Sequence, residues 1–169
     1  MEKIKFKKLL FDIACSSMAC DGNIDDKEIK ELKEIDKTTN YFKDIDFSKR
    51  LESFIENFKV DSEKTLNTII NKLNDYLLDP VEELLVLEVA LRIVYSDTKI
   101  ESKEVDFLKI IRSGISIDNN MLFERFGEID FLIDKKEIIN SSNKPEDKAI
   151  DSSELSTLES LYFISEDEK

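Results

Sequence analysis

Asp21-Gly22-Asn23-Ile24-Asp25-Asp26-Lys27-Glu28 is the stretch whose reading decides the fold. It is an acidic turn with one apolar residue, Ile24, at its exit. Upstream, Ile4, Leu9, Leu10, Ile13, Ala14 and Ser17 or Met18 follow helical spacing and predict a helix over 4–20. Gly22 suits a turn because glycine takes positive φ without a steric penalty. Downstream, Ile29, Leu32 and Ile35 form an apolar stripe over about 26–37, with Lys27, Lys30, Glu31 and Lys33 on the solvated face. Asp25 is a good N-cap, and Glu28, three residues on, completes a capping-box pattern.

The same unit returns 76 positions later as Asp97-Thr98-Lys99-Ile100-Glu101-Ser102-Lys103-Glu104. In that register Asp21 matches Asp97, Ile24 matches Ile100, Lys27 matches Lys103 and Glu28 matches Glu104. Leu9/Leu85, Ala14/Ala90, Leu32/Leu108, Lys33/Lys109 and Ile35/Ile111 are also identical; Asp12/Glu88, Ile13/Val89, Asp25/Glu101 and Ile29/Val105 are conservative. Shared amphipathicity accounts for apolar matches but not for four acidic pairs in register. The chain therefore reads as two helix-turn-helix halves related by a pseudo-twofold. Their first helices, 4–20 and 81–95, are expected to pack together at the centre.

Between and beyond the repeats the helical pattern continues. Phe47, Leu51, Phe54, Ile55 and Phe58 mark a third helix, after a break at Thr38-Thr39-Asn40 and a loop or short turn over 41–46. Asp61 or Ser62 caps a fourth, with Leu66, Ile69, Ile70, Leu73 and Leu77 expected inside. Asp79-Pro80 is a strong start for a fifth, because proline at the first helical position has no needed N–H. That fifth helix is apolar nearly all round and so belongs in the interior. Glu88 and Arg92 read as an i, i+4 ion pair at its edge. A sixth helix spans about 102–113 to Gly114, and Asp118 caps a seventh with Met121, Leu122 and Phe126. Ile129 to Ile133 either continues helically or ends the core. The expected organisation is an all-α compact bundle of about seven helices over 1–139, a linker over 140–152, and a C-terminal amphipathic helix with an acidic tail over 153–169. Leu155, Leu158, Leu161, Tyr162 and Ile164 carry that last helix, which docks back on the domain or meets a partner.

Composition narrows function. Gly (3) and Pro (2) are scarce, which favours helix over sheet. The net charge of −13 opposes phosphate backbones and anionic lipid surfaces, so nucleic acid is not expected as a partner. The chain has no histidine, which removes Ser-His-Asp and Cys-His catalysis and most zinc sites. No nucleophile motif or Gly-rich phosphate loop is present. An enzyme is not expected. The two cysteines, Cys15 and Cys20, lie five apart on one helix and face different ways, which disfavours a disulfide and fits reduced thiols in the cytoplasm. Residues 1–20 loosely resemble a lipoprotein signal, but Asp12 breaks the apolar run far short of the roughly 7–15 residues required. No run approaches the ~18–20 apolar residues of a membrane span.

The turns offer carboxylates. As an EF-hand, the first turn supplies only the second half of the loop: Ser17 and Ala19 stand at the first and third ligand positions, and Ile93 and Tyr95 in the second unit. Six to eight oxygens cannot be assembled that way. An apolar helix running into D-G-x-I-x-x-x-E, paired with a second running into D-x-x-I-x-x-x-E, resembles instead the TerB-like domain of tellurite resistance proteins. Its relatives include the N-terminal domain of a DnaJ-like membrane co-chaperone. The resemblance covers about 5–134. It implies a seven-helix bundle with acidic patches that bind metal ions, and roles in stress response, tellurite or phage resistance and membrane-associated complexes rather than catalysis. It places the acidic positions at Asp21, Glu28, Asp97 and Glu104. Thr98, where the family often has Gly, is a departure.

Asp21, Asp25, Glu28, Asp97, Glu101 and Glu104 are thus the candidate metal ligands, with Ca²⁺ or Mg²⁺ as the expected ion since only oxygen is offered. A cluster of Asp21, Asp25 and Glu28, joined by Asp12, would need a cation or a basic side chain. The same residues also serve as turn and helix caps, and both readings stand at this point. Two functions follow. One is a TerB-like interaction module with a protein partner of basic character. The other is an acidic immunity or inhibitor protein that masks a basic toxin.

Overall fold

A helix that is apolar on every side must be covered on every side, and the chain carries two. In the computed structural model, which describes residues 2–133, the helices are α1 (Lys3–Ala19), α2 (Asp26–Thr38), α3 (Phe47–Val60), α4 (Ser62–Asp75), α5 (Pro80–Val94), α6 (Ser102–Ser113) and α7 (Asn119–Phe126). The expected linker 140–152 and C-terminal helix 153–169 lie outside the described residues. Every regular element among the described residues is a helix. From Leu9 to Ala19 α1 is buried without interruption, and so is α5 from Glu82 to Leu91. These two make the most extensive helix contact in the fold. The remaining helices wrap them, each laying one apolar stripe inward: Leu32 and Ile35 from α2, Phe54 from α3, Ile69 and Leu73 from α4, Phe107, Leu108 and Ile111 from α6. Phe11 meets Phe42 and Phe47 edge-on, at centroid distances of 5.1 and 5.2 Å, and so ties the 41–46 turn to α1.

Local chemistry sets the boundaries. Asp79 Oδ1 accepts the Glu82 N–H at 2.9 Å while Glu82 Oε2 accepts the Asp79 N–H at 3.0 Å, so the Asp-Pro start is a reciprocal cap. Asp46, Asp61 and Asp118 cap α3, α4 and α7 through the N–H groups of Lys49, Lys64 and Met121. Gly127, at φ 71°, ends α7, and Ile129, Leu132 and Ile133 then close the core from a turn rather than from a continued helix.

Two expectations fail. Leu77 is 93% exposed, because α4 stops at Asp75 and Tyr76 is already extended (φ −88°, ψ 134°). The helical phase that would have turned Leu77 inward is lost one residue before it. Glu88 and Arg92 are not an ion pair either. Arg92 reaches across to Glu31, with Nη2 3.0 Å from Oε1. Glu88 accepts Tyr41 Oη at 3.0 Å and Arg125 Nη2 at 2.8 Å.

The second correction exposes a symmetry. Asp12 occupies in α1 the place of Glu88 in α5, and it too is held by an arginine from a later helix. Arg50 donates Nε and Nη2 to the two Asp12 oxygens at 3.0 and 2.7 Å. Asp12 therefore belongs to the core electrostatics and not to the turn carboxylates. The likeness of the halves extends past the turns in space, to Arg50 on α3 and Arg125 on α7, which lie one residue out of the 76-residue register.

Replacing Leu85, which has no exposed surface, with Ala should cost roughly 2–5 kcal/mol in urea unfolding, as cavity-forming core changes do. Leu77→Ala should stay within about 0.5 kcal/mol. Similar losses at the two positions would contradict the placement of the α4 terminus.

Candidate ligand site at the paired acidic turns

The α1–α5 contact carries the two turns with it, since each begins where one of these helices ends. Asp21 to Asp25 follows α1, and Asp97 to Glu101 follows α5. Lys27 Nζ, from the first turn of α2, lies 3.3 Å from Asp97 Oδ1 and links one turn to the other.

Within the first turn the backbone takes Gly22 to φ 91°. Asp21 Oδ1 then accepts the N–H of Asn23, two residues on, at 2.8 Å. Asp25 Oδ1 accepts the Lys27 N–H at 2.7 Å, and Glu28 Oε2 accepts the Asp25 N–H at 3.1 Å. The second turn differs where the glycine is missing. Thr98 stays out of the positive-φ region, and Asp97 Oδ1 accepts the N–H of Thr98 itself at 2.7 Å. The helix start is nevertheless repeated: Glu104 Oε2 accepts the Glu101 N–H at 2.7 Å. The capping reading of Asp25, Glu28, Asp97 and Glu104 is thus realised in hydrogen bonds.

Capping leaves an electrostatic residue. Glu28 and Glu104 are buried, at 5% and 4% exposure, while Asp25 and Glu101 face solvent and Asp21 and Asp97 are half-buried. Burial pushes Glu28 up to about 7, and the nearby charges of Asp21, Glu104 and Asp25 push the same way against the Asp25 N–H bond. Glu104 is also raised, by burial first and then by Asp21, Glu101 and Asp97. Asp97 is lowered, mainly by the Thr98 N–H and then by Lys27. The carboxylates of both turns therefore share one electrostatic field. The chemistry such a patch can perform is attraction of cationic groups.

One member of the patch is absent from the sequence reading. Cys20 sits between the turns, its thiol pushed up to about 12 by burial and then by Glu104, Asp21 and Glu28. Its Sγ–H donates to the Ser17 carbonyl at 3.2 Å. The signal was its position, one residue before Asp21. Both cysteines are free thiols.

The donor set is oxygen-rich and suits a hard cation in kind. As the side chains stand, however, no three Asp, Glu or Cys groups among the described residues converge closely enough to hold a metal ion. One oxygen of each buried glutamate is committed to a cap.

Comparison with protein families matches the chain to the model described as tellurite resistance protein TerB, over residues 10–123. That span contains both turns, α1 from Leu10 onward, all of α5 and the Asp12–Arg50 pair; of the second core pair it contains Glu88 but not Arg125. Neither the curated proteins nor the solved structures compared with the chain give a match.

The raised Glu28 has a definite consequence for stability. Between its ordinary value of 4.5 and about 7 the folded chain holds a proton that the unfolded chain has released. The contribution is therefore present below pH 4.5 and lost as pH rises through about 7. Glu88, raised by burial to about 7 despite Arg125 and Tyr41, acts in the same direction. Unfolding free energy should fall from pH 5 to pH 8, and fall less steeply in Glu28→Gln, which keeps an acceptor for the Asp25 N–H. Identical slopes in the two proteins would remove Glu28 as a cause.

Proposed function

The chain belongs to the TerB family, and on that premise we propose that it is a non-enzymatic interaction module of a stress, phage or tellurite resistance system. The paired acidic turns are its contact surface. They bind a divalent cation, Ca²⁺ or Mg²⁺, and with or without it a basic protein partner. The observation that carries this reading is the elevation of Glu28 and Glu104, each raised by burial first and then by neighbouring carboxylates that include Asp21 in both cases. Acidic groups held close enough to oppose one another's ionisation are stabilised by any cation placed among them.

Asp21, Glu28 and Glu104 are the residues that would hold the ion, with Asp25, Asp97 and Glu101 around them. When bound, the ion supplies positive charge and no reaction. The chain's own residues supply the rest. The caps keep Glu28 and Glu104 at fixed places on α2 and α6, and Lys27 holds Asp97 toward the first turn. An arrangement that is not a finished chelate fits weak binding, in which the carboxylates close on the ion at some cost to their caps. No helix is long and apolar enough to cross a membrane among the described residues, and we place the module in the cytoplasm, where both thiols remain reduced.

Titration with MgCl₂ and CaCl₂, followed by amide NMR at pH 7, should move Asp21–Glu28 and Asp97–Glu104 together, with saturation in the millimolar range. Glu28→Gln combined with Glu104→Gln should weaken the binding at least roughly tenfold, through loss of two charged ligands. Amides at both turns that stay fixed at millimolar metal would remove the cation from the proposal.

A further inference from the structure

We propose that the groove between α3 and α4 binds a small organic anion: a carboxylate or phosphate carried on a hydroxylated body. The groove encloses about 440 Å³, within the roughly 300–1,000 Å³ of ordinary small-molecule sites. A bare inorganic ion would leave most of that space unfilled.

Its floor is the Asp12–Arg50 pair. Arg50 uses Nε and Nη2 on Asp12, which fixes the guanidinium plane and leaves Nη1 for the groove. The Arg50 side chain keeps 28% of its surface, so the group is reachable. Lys72 Nζ lies 3.8 Å from the same carboxylate, with its side chain 47% exposed. Lys64 stands two turns before it on the same face of α4 and lines the same groove. Three cations thus face two carboxylates, Asp12 and Asp61. Asp12 is already matched by Arg50, and Asp61 Oδ1 is committed to the Lys64 N–H at 3.0 Å as the cap of α4. In a chain of net charge −13 this is a local inversion of sign. The long-range repulsion from the rest of the chain is screened within about 8–10 Å at ordinary salt, whereas contact with the groove is not.

The rest of the lining specifies more than charge. Thr68 Oγ1 donates to the Lys64 carbonyl at 2.7 Å and so presents its lone pairs outward, as an acceptor for a ligand hydroxyl. Ser53 and Asn57 add a hydroxyl and an amide from α3. Val60, 88% exposed at the rim, offers an apolar contact. A fixed guanidinium offering Nη1, flanked by two ammonium groups, recognises an oxyanion, and the neutral polar wall recognises what carries it. The site stands on α3 and α4, which carry none of the turn carboxylates, so it is independent of the cation reading.

Amide NMR of the full chain, titrated separately with glycerol phosphate and with malate, tests the assignment. Saturable shifts at Ser53, Asn57, Lys64 and Thr68 are expected. Lys64→Gln combined with Lys72→Gln, both at exposed positions, should weaken binding roughly tenfold or more while the spectrum away from the groove stays unchanged. Saturation by glycerol phosphate alone assigns a phosphate ligand, and by malate alone a carboxylate; saturation by both supports the shared oxyanion chemistry. Linear, non-saturating shifts with both probes, or an affinity that the two substitutions leave unchanged, would overturn the proposal.

Discussion

The fold rests on burying α1 against α5 while each carries one carboxylate into the interior. Apolar packing alone would put Asp12 and Glu88 where an isolated charge cannot stay, since desolvation of an ion costs several kcal/mol even after relaxation. Each is met by an arginine from a later helix, Arg50 on α3 and Arg125 on α7, at 2.7 and 2.8 Å. The central contact cannot therefore be completed by the two helices alone. It requires α3 and α7 in place, and the requirement gives those outer helices a defined position that their amphipathic stripes would leave loose. Glu88 needs a third group, Tyr41, which fixes the 41–46 turn as well. A pair that is costly to bury adds little net stability but penalises misplacement of either partner.

From that arrangement the turns follow. Both start at the ends of the central helices, so packing those helices packs the turns, and the carboxylates become neighbours without any contact designed between them. Asp21 and Asp97 show what is shared and what is not. Each closes its turn through Oδ1, but Gly22 lets the first chain path swing to φ 91° and present the Asn23 N–H, while Thr98 keeps the second path in the ordinary region and presents its own. The helices that follow start alike, on glutamates buried to nearly the same extent. Capping commits only one oxygen of each buried glutamate. The cap holds one glutamate oxygen and places the group, and that placement crowds it against the carboxylates of both turns.

Much of this is legible in the chain. Apolar periodicity locates the seven helices, and Asp61, Asp79 and Asp118 mark the starts of α4, α5 and α7 because each does locally what its type predicts. The 76-residue repeat pairs the two turns and puts their leading helices together at the centre before any coordinates. What was not legible is long-range. Glu88 and Arg92 have the spacing of an intrahelical pair, and nothing local reveals that Tyr41 and Arg125 lie closer in space. Leu77 has the right phase for α4 but follows the residue at which the helix stops. Cys20 is an unremarkable helix-end residue until three carboxylates from two turns are gathered around it.

The distribution of arginine separates the two kinds of acidic residue. The chain has four arginines. Arg50, Arg92 and Arg125 bind Asp12, Glu31 and Glu88, and Arg112 bonds the Ile115 carbonyl and the Asn119 side chain. Every guanidinium fork is thus used inside the fold, where fixed geometry and weak hydration favour it over lysine. The turns receive Lys27 instead, a flexible ammonium 63% exposed, bonded to the one carboxylate of the patch whose acidity is increased. Glu28 and Glu104, the two buried members, are raised and not lowered. The core carboxylates are met by arginine from within the fold, although burial still raises both Asp12 and Glu88, whereas the turns have lysine and backbone N–H groups as partners. A net charge of −13 arising only from a solvated surface would show no such division. The division is one of partner type: arginine forks for the core carboxylates, a lysine and backbone N–H groups for those of the turns.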